Sequence, residues 1–130
     1  MPTFKSKLEE KVWNLLINEF PGVKYEPTRI TFTQPVQERT YTPDFKTDES
    51  KEIYLEAKGI LDVETRKKMI WFKECNPEVR IVLLFQNSNN KLYRGSKTTY
   101  SMWAEANGFD WLDFRHKGWI NAYRKLCSEY

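Results

Sequence analysis

The sequence predicts an α/β domain, a mixed central β-sheet flanked by helices. Three observations predict it. The nearly continuous apolar run VRIVLLF (79–85) has the composition of a central strand buried on both faces. Helical periodicity stands near both ends of the chain, over 8–20 and over 119–127. Between them, β-branched and aromatic runs alternate with turn signals and further helical segments. The 130 residues, 40% hydrophobic and 15% aromatic, suit a single domain spanning 1–130 with material for a real core.

The elements follow in order. Ser6-Lys7-Leu8-Glu9 reads as a capping box that opens a helix, and Leu8, Val12, Leu15, Leu16 and Ile17 keep its period until Pro21-Gly22 stops it. Residues 23–34 read as extended, broken near Pro27, and 36–41 as extended again, so 30–41 is a candidate connecting segment with Pro35 inside it. After Pro43 a strand starts at Asp44, Asp48-Glu49-Ser50 turns the chain, and 52–58 returns to Gly59. Residues 62–75 read as a helix ended by Asn76-Pro77, and 79–85 as the central strand. Residues 87–90 form a loop. A short helix over 100–106 closes at Asn107-Gly108, and a last helix covers 119–127.

Several function classes drop out. No apolar run approaches the roughly 20 residues that span a membrane, and the N-terminus has no signal-peptide-like stretch, so a soluble intracellular protein with no membrane partner is expected. Cys75 and Cys127 lie outside any CxxC and His116 is the lone histidine, which argues against a zinc site and for two buried, unpaired thiols. Any metal must then be held by oxygen ligands, which suits Mg²⁺ or Mn²⁺. Net charge is +3 but uneven. Residues 1–65 carry 9 basic and 12 acidic side chains, and 66–130 carry 12 and 6. An acidic half that takes up cations and a basic half that attracts phosphate suit a metal-dependent enzyme acting on nucleic acid.

The stretch TYTPDFKTDESKEIYLEAKG (40–59) carries the candidate chemistry. If its turn centres on Ser50, Asp44 lies opposite Glu56, where Cβ atoms are about 4.5–5.5 Å apart. Glu56 and Lys58 share a face, while Ile53, Leu55 and Ala57 take the other. Two carboxylates so close repel unless a cation lies between them. With Lys58 beside them to orient a water or offset phosphate charge, the set suits phosphodiester hydrolysis. The alternative stays open at this point: a turn aspartate and a surface salt bridge of small energetic consequence.

Pro43-Asp44 followed by Glu56-Ala57-Lys58 resembles the signature of the PD-(D/E)xK nuclease superfamily. The ordered blocks FKSKLEEKV (4–12), TYTPDF (40–45), LEAKG (55–59), RKK (66–68) and KLYRGSKTTY (91–100) resemble the phage endonuclease I family of junction-resolving enzymes. The resemblance spans about residues 4–110. It implies a restriction-endonuclease-like fold and an element-exchanged homodimer with 30–41 as the bridge. It further implies an Mg²⁺-dependent endodeoxyribonuclease that cuts four-way (Holliday) junctions and other branched DNA, with Mn²⁺ able to substitute and no small-molecule cofactor. Glu9, Asp44, Glu56 and Lys58 take the catalytic positions, and Asp44, Glu56 and the carbonyl of Ala57 hold the metal. Glu9 of one chain then completes the site of the other. The implied setting is the cytoplasm of a phage-infected bacterial host. The Asp44–Glu56 loop is about two residues longer than the family pattern, the basic N-terminal extension is lacking, and residues from Asp110 onward have no clear counterpart.

Arg66, Lys67, Lys68, Lys91, Arg94 and Lys97 are candidate phosphate contacts, with Arg115, Lys117, Arg124 and Lys125 as further ones; a solvated face is the competing reading. No base-reading motif is present, so recognition by branch shape is expected over recognition by sequence. Two other functions fit the same residues: another nuclease of the superfamily (transposase-subunit-like or nicking), or a non-catalytic DNA-binding domain.

Overall fold

A computed structural model describes residues 2–34 and 37–130. Among these, a five-stranded sheet runs in the order β1 (Lys24–Tyr25), β4 (Phe45–Lys46), β5 (Ile53–Lys58), β6 (Arg80–Phe85) and β7 (Asp110–Asp113). β1, β4 and β5 pair antiparallel, whereas β5, β6 and β7 pair parallel, so the sheet is mixed as the sequence predicts. β2 (Ile30–Gln34) and β3 (Gln37–Tyr41) form a separate antiparallel pair.

Helices cover both faces. β5 and β6 are buried on both sides, so alternate residues feed two cores. Ile53, Leu55, Ala57, Val82 and Leu84 pack with Leu8, Val12 and Leu16 of α1 (Lys7–Glu19) and with Trp119 and Tyr123 of α4 (Trp119–Glu129). Tyr54, Ile81, Leu83 and Phe85 pack with Met69 and Phe72 of α2 (Val63–Cys75) and with Tyr100 and Trp103 of α3 (Tyr100–Ala106). Leu55 is fully buried, so Leu55→Ala costs about 2–5 kcal/mol through lost transfer energy and the cavity left behind.

Side-chain caps set the helix starts. Ser6, Asp62 and Thr99 accept from the N–H groups of Glu9, Thr65 and Met102. α3 ends in a Schellman turn: the Gly108 N–H donates to Glu105 O, the Phe109 N–H donates to Ala104 O, and Gly108 takes φ 77°.

Three readings are corrected. Asp110–Asp113 is a strand where the sequence predicts none; it is short, its ends are aspartates, and its pairing with β6 is non-local. Cys75 is exposed and Cys127 half-buried, because α2 ends at the surface; neither forms a disulfide. α4 runs two residues beyond the expected end. The connecting segment 30–41 is seen as two paired strands, while Pro35 and Val36 lie outside the described residues. Tyr41 and Phe32 fix this pair to α2 by edge-to-face contacts with Phe72, at 4.8 and 5.8 Å between ring centroids.

Candidate active site

The β4–β5 pairing has the register that a turn centred on Ser50 demands, with Phe45 opposite Leu55, and this sets Asp44 against Glu56. The two residues clasp each other. The Asp44 N–H donates to Glu56 Oε1 (2.9 Å), and Asp44 Oδ2 accepts from the Ala57 N–H (3.0 Å). Both residues are 4% exposed. The Lys58 carbonyl faces β6, accepting from the Gln86 N–H. Carbonyls alternate edges along a strand, so that of Ala57 faces the opposite edge, the side of Asp44. Lys58 Nζ lies 3.0 Å from Glu56 Oε2.

Glu9 joins them from α1. Its N–H is capped by Ser6, as the capping box predicts, but its carboxylate does not reach back to the main chain. Ser6 Oγ donates to Oε2 (3.2 Å), and the Tyr25 hydroxyl donates to Oε1. Ser6 therefore caps the Glu9 N–H while the Glu9 side chain serves the cluster. Carboxylate oxygens of Glu9, Glu26 and Asp44 all lie within 4.8 Å of one another.

Such crowding shows in the proton affinities. Burial pushes the Asp44 carboxyl up to about 8, and the charges of Glu56 and Glu9 add to this against Lys58 and the Ala57 N–H. Burial pulls the Lys58 ammonium down, but the charges of Glu56 and Asp44 outweigh it, so its pKa is raised and Lys58 stays protonated at neutral pH. The Tyr41 hydroxyl is held far above the ordinary phenol range by burial and then by Glu56 and Asp44. It lies beside them without a well-formed hydrogen bond.

The fold thus brings Glu9, Asp44, Glu56, Ala57 and Lys58 together. The predicted basic contacts divide. Lys67, Lys91, Arg94 and Lys97 are exposed. Arg66 Nη1 donates to the carbonyls of Leu61 (2.9 Å) and Leu92 (3.5 Å), tying α2 to the loop that precedes α3. The Lys68 ammonium lies over the Tyr41 ring, 5.0 Å from its centroid. In the C-terminal segment Arg115 pairs with Asp113 and Arg124 with Glu19. Sequence reasoning missed Lys5, Tyr25, Glu26 and Tyr41. Only the acidic residue ahead of Pro27, at the end of an extended run, offered any signal for the group, and a weak one.

A family model described as phage endonuclease I matches residues 1–128. The chain belongs to the phage endonuclease I family. Two relatives agree. Endodeoxyribonuclease 1 of Enterobacteria phage T3 is 41% identical over 112 residues, covering 85% of this chain and 71% of the relative. Endonuclease I of Escherichia phage T7 is 36% identical over 110 residues, covering 85% and 72%. The phage endonuclease I match runs through the 110–128 segment, which the sequence analysis left without a counterpart. The donor set suits a metal of this family's chemistry: clustered carboxylates with excess negative charge, plus a main-chain carbonyl, are hard oxygen ligands for a divalent cation.

Proposed function

We propose that this protein is a homodimeric, Mg²⁺-dependent endodeoxyribonuclease that cuts four-way junctions and other branched DNA. One observation supports the reading above all. Glu9, Asp44, Glu56 and Lys58, from three separate segments, converge on one largely buried acidic cluster. They do so in a chain whose T3 and T7 relatives are named for endonuclease activity.

Asp44, Glu56 and the Ala57 carbonyl would hold Mg²⁺ or Mn²⁺, with Glu9 alongside. A divalent ion bound there supplies Lewis acidity toward a phosphoryl oxygen and a lower pKa for water. The chain's own groups do the rest. The Lys58 ammonium, fixed by Glu56, offsets charge that builds on the phosphate as the transition state forms. The Glu9 carboxylate, turned inward by Ser6 and Tyr25, orients the attacking water for in-line approach to phosphorus. A P–O bond forms from the water as the P–O3′ bond breaks; the water gives up its proton to solvent and the departing 3′-oxygen takes one from solvent, leaving a 5′-phosphate and a 3′-hydroxyl. Lys67, Lys91, Arg94 and Lys97 carry exposed charge for phosphate contacts away from the cut.

The pairing of β2 with β3 is compatible with an exchanged dimer. Ile30 faces Tyr41, Thr31 faces Thr40 and Phe32 faces Arg39. Two copies related by a two-fold axis can make the same antiparallel β2–β3 pairs between chains, which passes α1, and so Glu9, to the partner.

Incubation with a four-way junction and a matched linear duplex in Mg²⁺ tests the reading. Preferential cutting of the junction is expected, and Glu56→Ala should abolish cutting while leaving junction binding intact. Equal cleavage of both substrates removes the junction assignment, and cleavage of neither removes the enzyme.

A further inference from the structure

β1 ends at Tyr25, and neighbouring side chains on a strand point to opposite faces. Yet Tyr25 and Glu26 both reach the acidic cluster, the first through its bond to Glu9 and the second with its carboxylate beside Glu9 and Asp44. The backbone explains how. Glu26 has φ 47°, and it is the single non-glycine residue with positive φ among the described residues. Its N–H donates to Asp44 O (2.7 Å), which fixes the kink against the start of β4. A glutamate in the left-handed region is strained by its Cβ, and such strain collects at functional sites.

The carboxylate placed in this way holds an ammonium. Glu26 Oε2 lies 2.7 Å from Lys5 Nζ and finds no other partner among the described residues. The Lys5 side chain is 64% exposed and that of Glu26 33%, so the charge is anchored inside and presented outside. The charges of Asp44 and Glu9 act on Lys5 as well, and Lys5 repels Lys58, so the two ammonium groups flank one set of acids. The segment is anchored: Phe4 packs edge-on against Tyr25 at 4.8 Å, and the Lys5 N–H donates to the Tyr25 hydroxyl (3.4 Å). An open pocket of about 450 Å³ beside Lys5 is bordered by Phe4, Ser6, Lys7 and Glu10.

We propose that Lys5 and Glu26 form a substrate-positioning pair, in which Glu26 holds the Lys5 ammonium at the mouth of the carboxylate cluster to engage a phosphate of the DNA strand being cut. The inference rests on the nuclease reading above. A polyanion approaching four carboxylates meets repulsion, and a cation fixed at their rim offsets it where the strand must enter.

The test compares Lys5→Met, Lys5→Arg and Glu26→Asn with the wild type on a four-way junction. Lys5→Met should raise KM about fivefold with kcat nearly unchanged, and lower the salt slope of junction affinity by about 1. Lys5→Arg should restore both, because it keeps the charge. Glu26→Asn tolerates the left-handed backbone, so it should melt no lower than the wild type yet raise KM as Lys5→Met does. Uptake of Mn²⁺ by the DNA-free protein, measured calorimetrically, should be unchanged in Lys5→Met. Wild-type KM and salt slope in Lys5→Met overturn the proposal. So does loss of Mn²⁺ uptake in Glu26→Asn with KM unchanged, which would make Glu26 an ion ligand. If the wild type cuts no DNA, the nuclease reading falls, and the pair is still judged by junction affinity and its salt slope.

Discussion

Asp44 and Glu56 hold each other through two hydrogen bonds that cross between their segments, Asp44 N–H to Glu56 (2.9 Å) and Ala57 N–H to Asp44 (3.0 Å). Each carboxylate is fixed by the main chain at or beside the other, so the two charges cannot separate to relieve their repulsion. That constraint, with burial, leaves Asp44 with a pKa of about 8.

Replacing Glu56 with glutamine keeps an oxygen for the Asp44 N–H and removes one charge. Glu56→Gln should bring the Asp44 carboxyl down from about 8, visible by carboxyl ¹³C NMR titration of metal-free protein. Divalent-ion uptake and cleavage should fall together, cleavage by about 10²-fold or more. An unchanged Asp44 titration would mean that Glu56 does not supply the repulsion.

Stability should depend on pH in an unusual direction. The Asp44 pKa is raised in the folded protein, so between about 4 and 8 the unfolded chain has released a proton that the folded one retains. The slope is negative: metal-free protein loses stability as pH rises through this window. The melting temperature at pH 8 should lie below that at pH 5.5, Asp44→Asn should flatten the difference, and Mn²⁺ should restore stability most at pH 8. A melting temperature that rises toward pH 8 without metal would contradict the assignment.

Much of this was legible in the sequence for physical reasons. Ser6, Asp62 and Asn107-Gly108 mark helix ends because capping is local chemistry. Asp44 and Glu56 could be paired because a hairpin turn fixes strand register. Glu26 was not legible, since its place in the site comes from one left-handed residue ahead of a proline, where an extended backbone is the ordinary expectation. β7 escaped for another reason: Asp110–Asp113 gains its strand conformation from parallel pairing with β6, a non-local partner. Glu9 was legible as part of a capping box but not as a site residue without the family resemblance, because the Tyr25 hydroxyl that turns its carboxylate to the cluster is a non-local partner.

Lys58 carries the positive charge nearest the Asp44–Glu56 pair and lies largely buried against it. Lys58→Met keeps the aliphatic stem and removes the ammonium, leaving Glu56 without its ion-pair partner. A loss on the order of 1–3 kcal/mol is expected in urea unfolding of metal-free protein, and Mn²⁺ should recover part of it. Single-turnover cleavage should fall by about 10²-fold or more with junction affinity nearly constant, since the Lys58 ammonium is held inside against Glu56 and acts on the charge of the transition state and not on the exposed phosphates of the bound strand. An equal loss in affinity would recast Lys58 as a binding residue.

Which chain supplies Glu9 can be decided by complementation. Glu9→Gln and Glu56→Gln are each expected to be inactive as homodimers. Refolding them together at equal concentration gives half heterodimers. If α1 is exchanged, one site of each heterodimer collects both substitutions and the other collects neither, so roughly a quarter of all sites regain wild-type composition. If Glu9 acts within its own chain, every site keeps one defect. We expect the mixture to nick one strand of a four-way junction, on a gel that separates single from paired cuts, because each heterodimer has one working site. The pairing of Ile30 with Tyr41, Thr31 with Thr40 and Phe32 with Arg39 forms equally well within or between chains, so the hairpin alone does not choose. Recovery of nicking would assign Glu9 to the partner, and a mixture as inactive as its parents would keep it in its own chain.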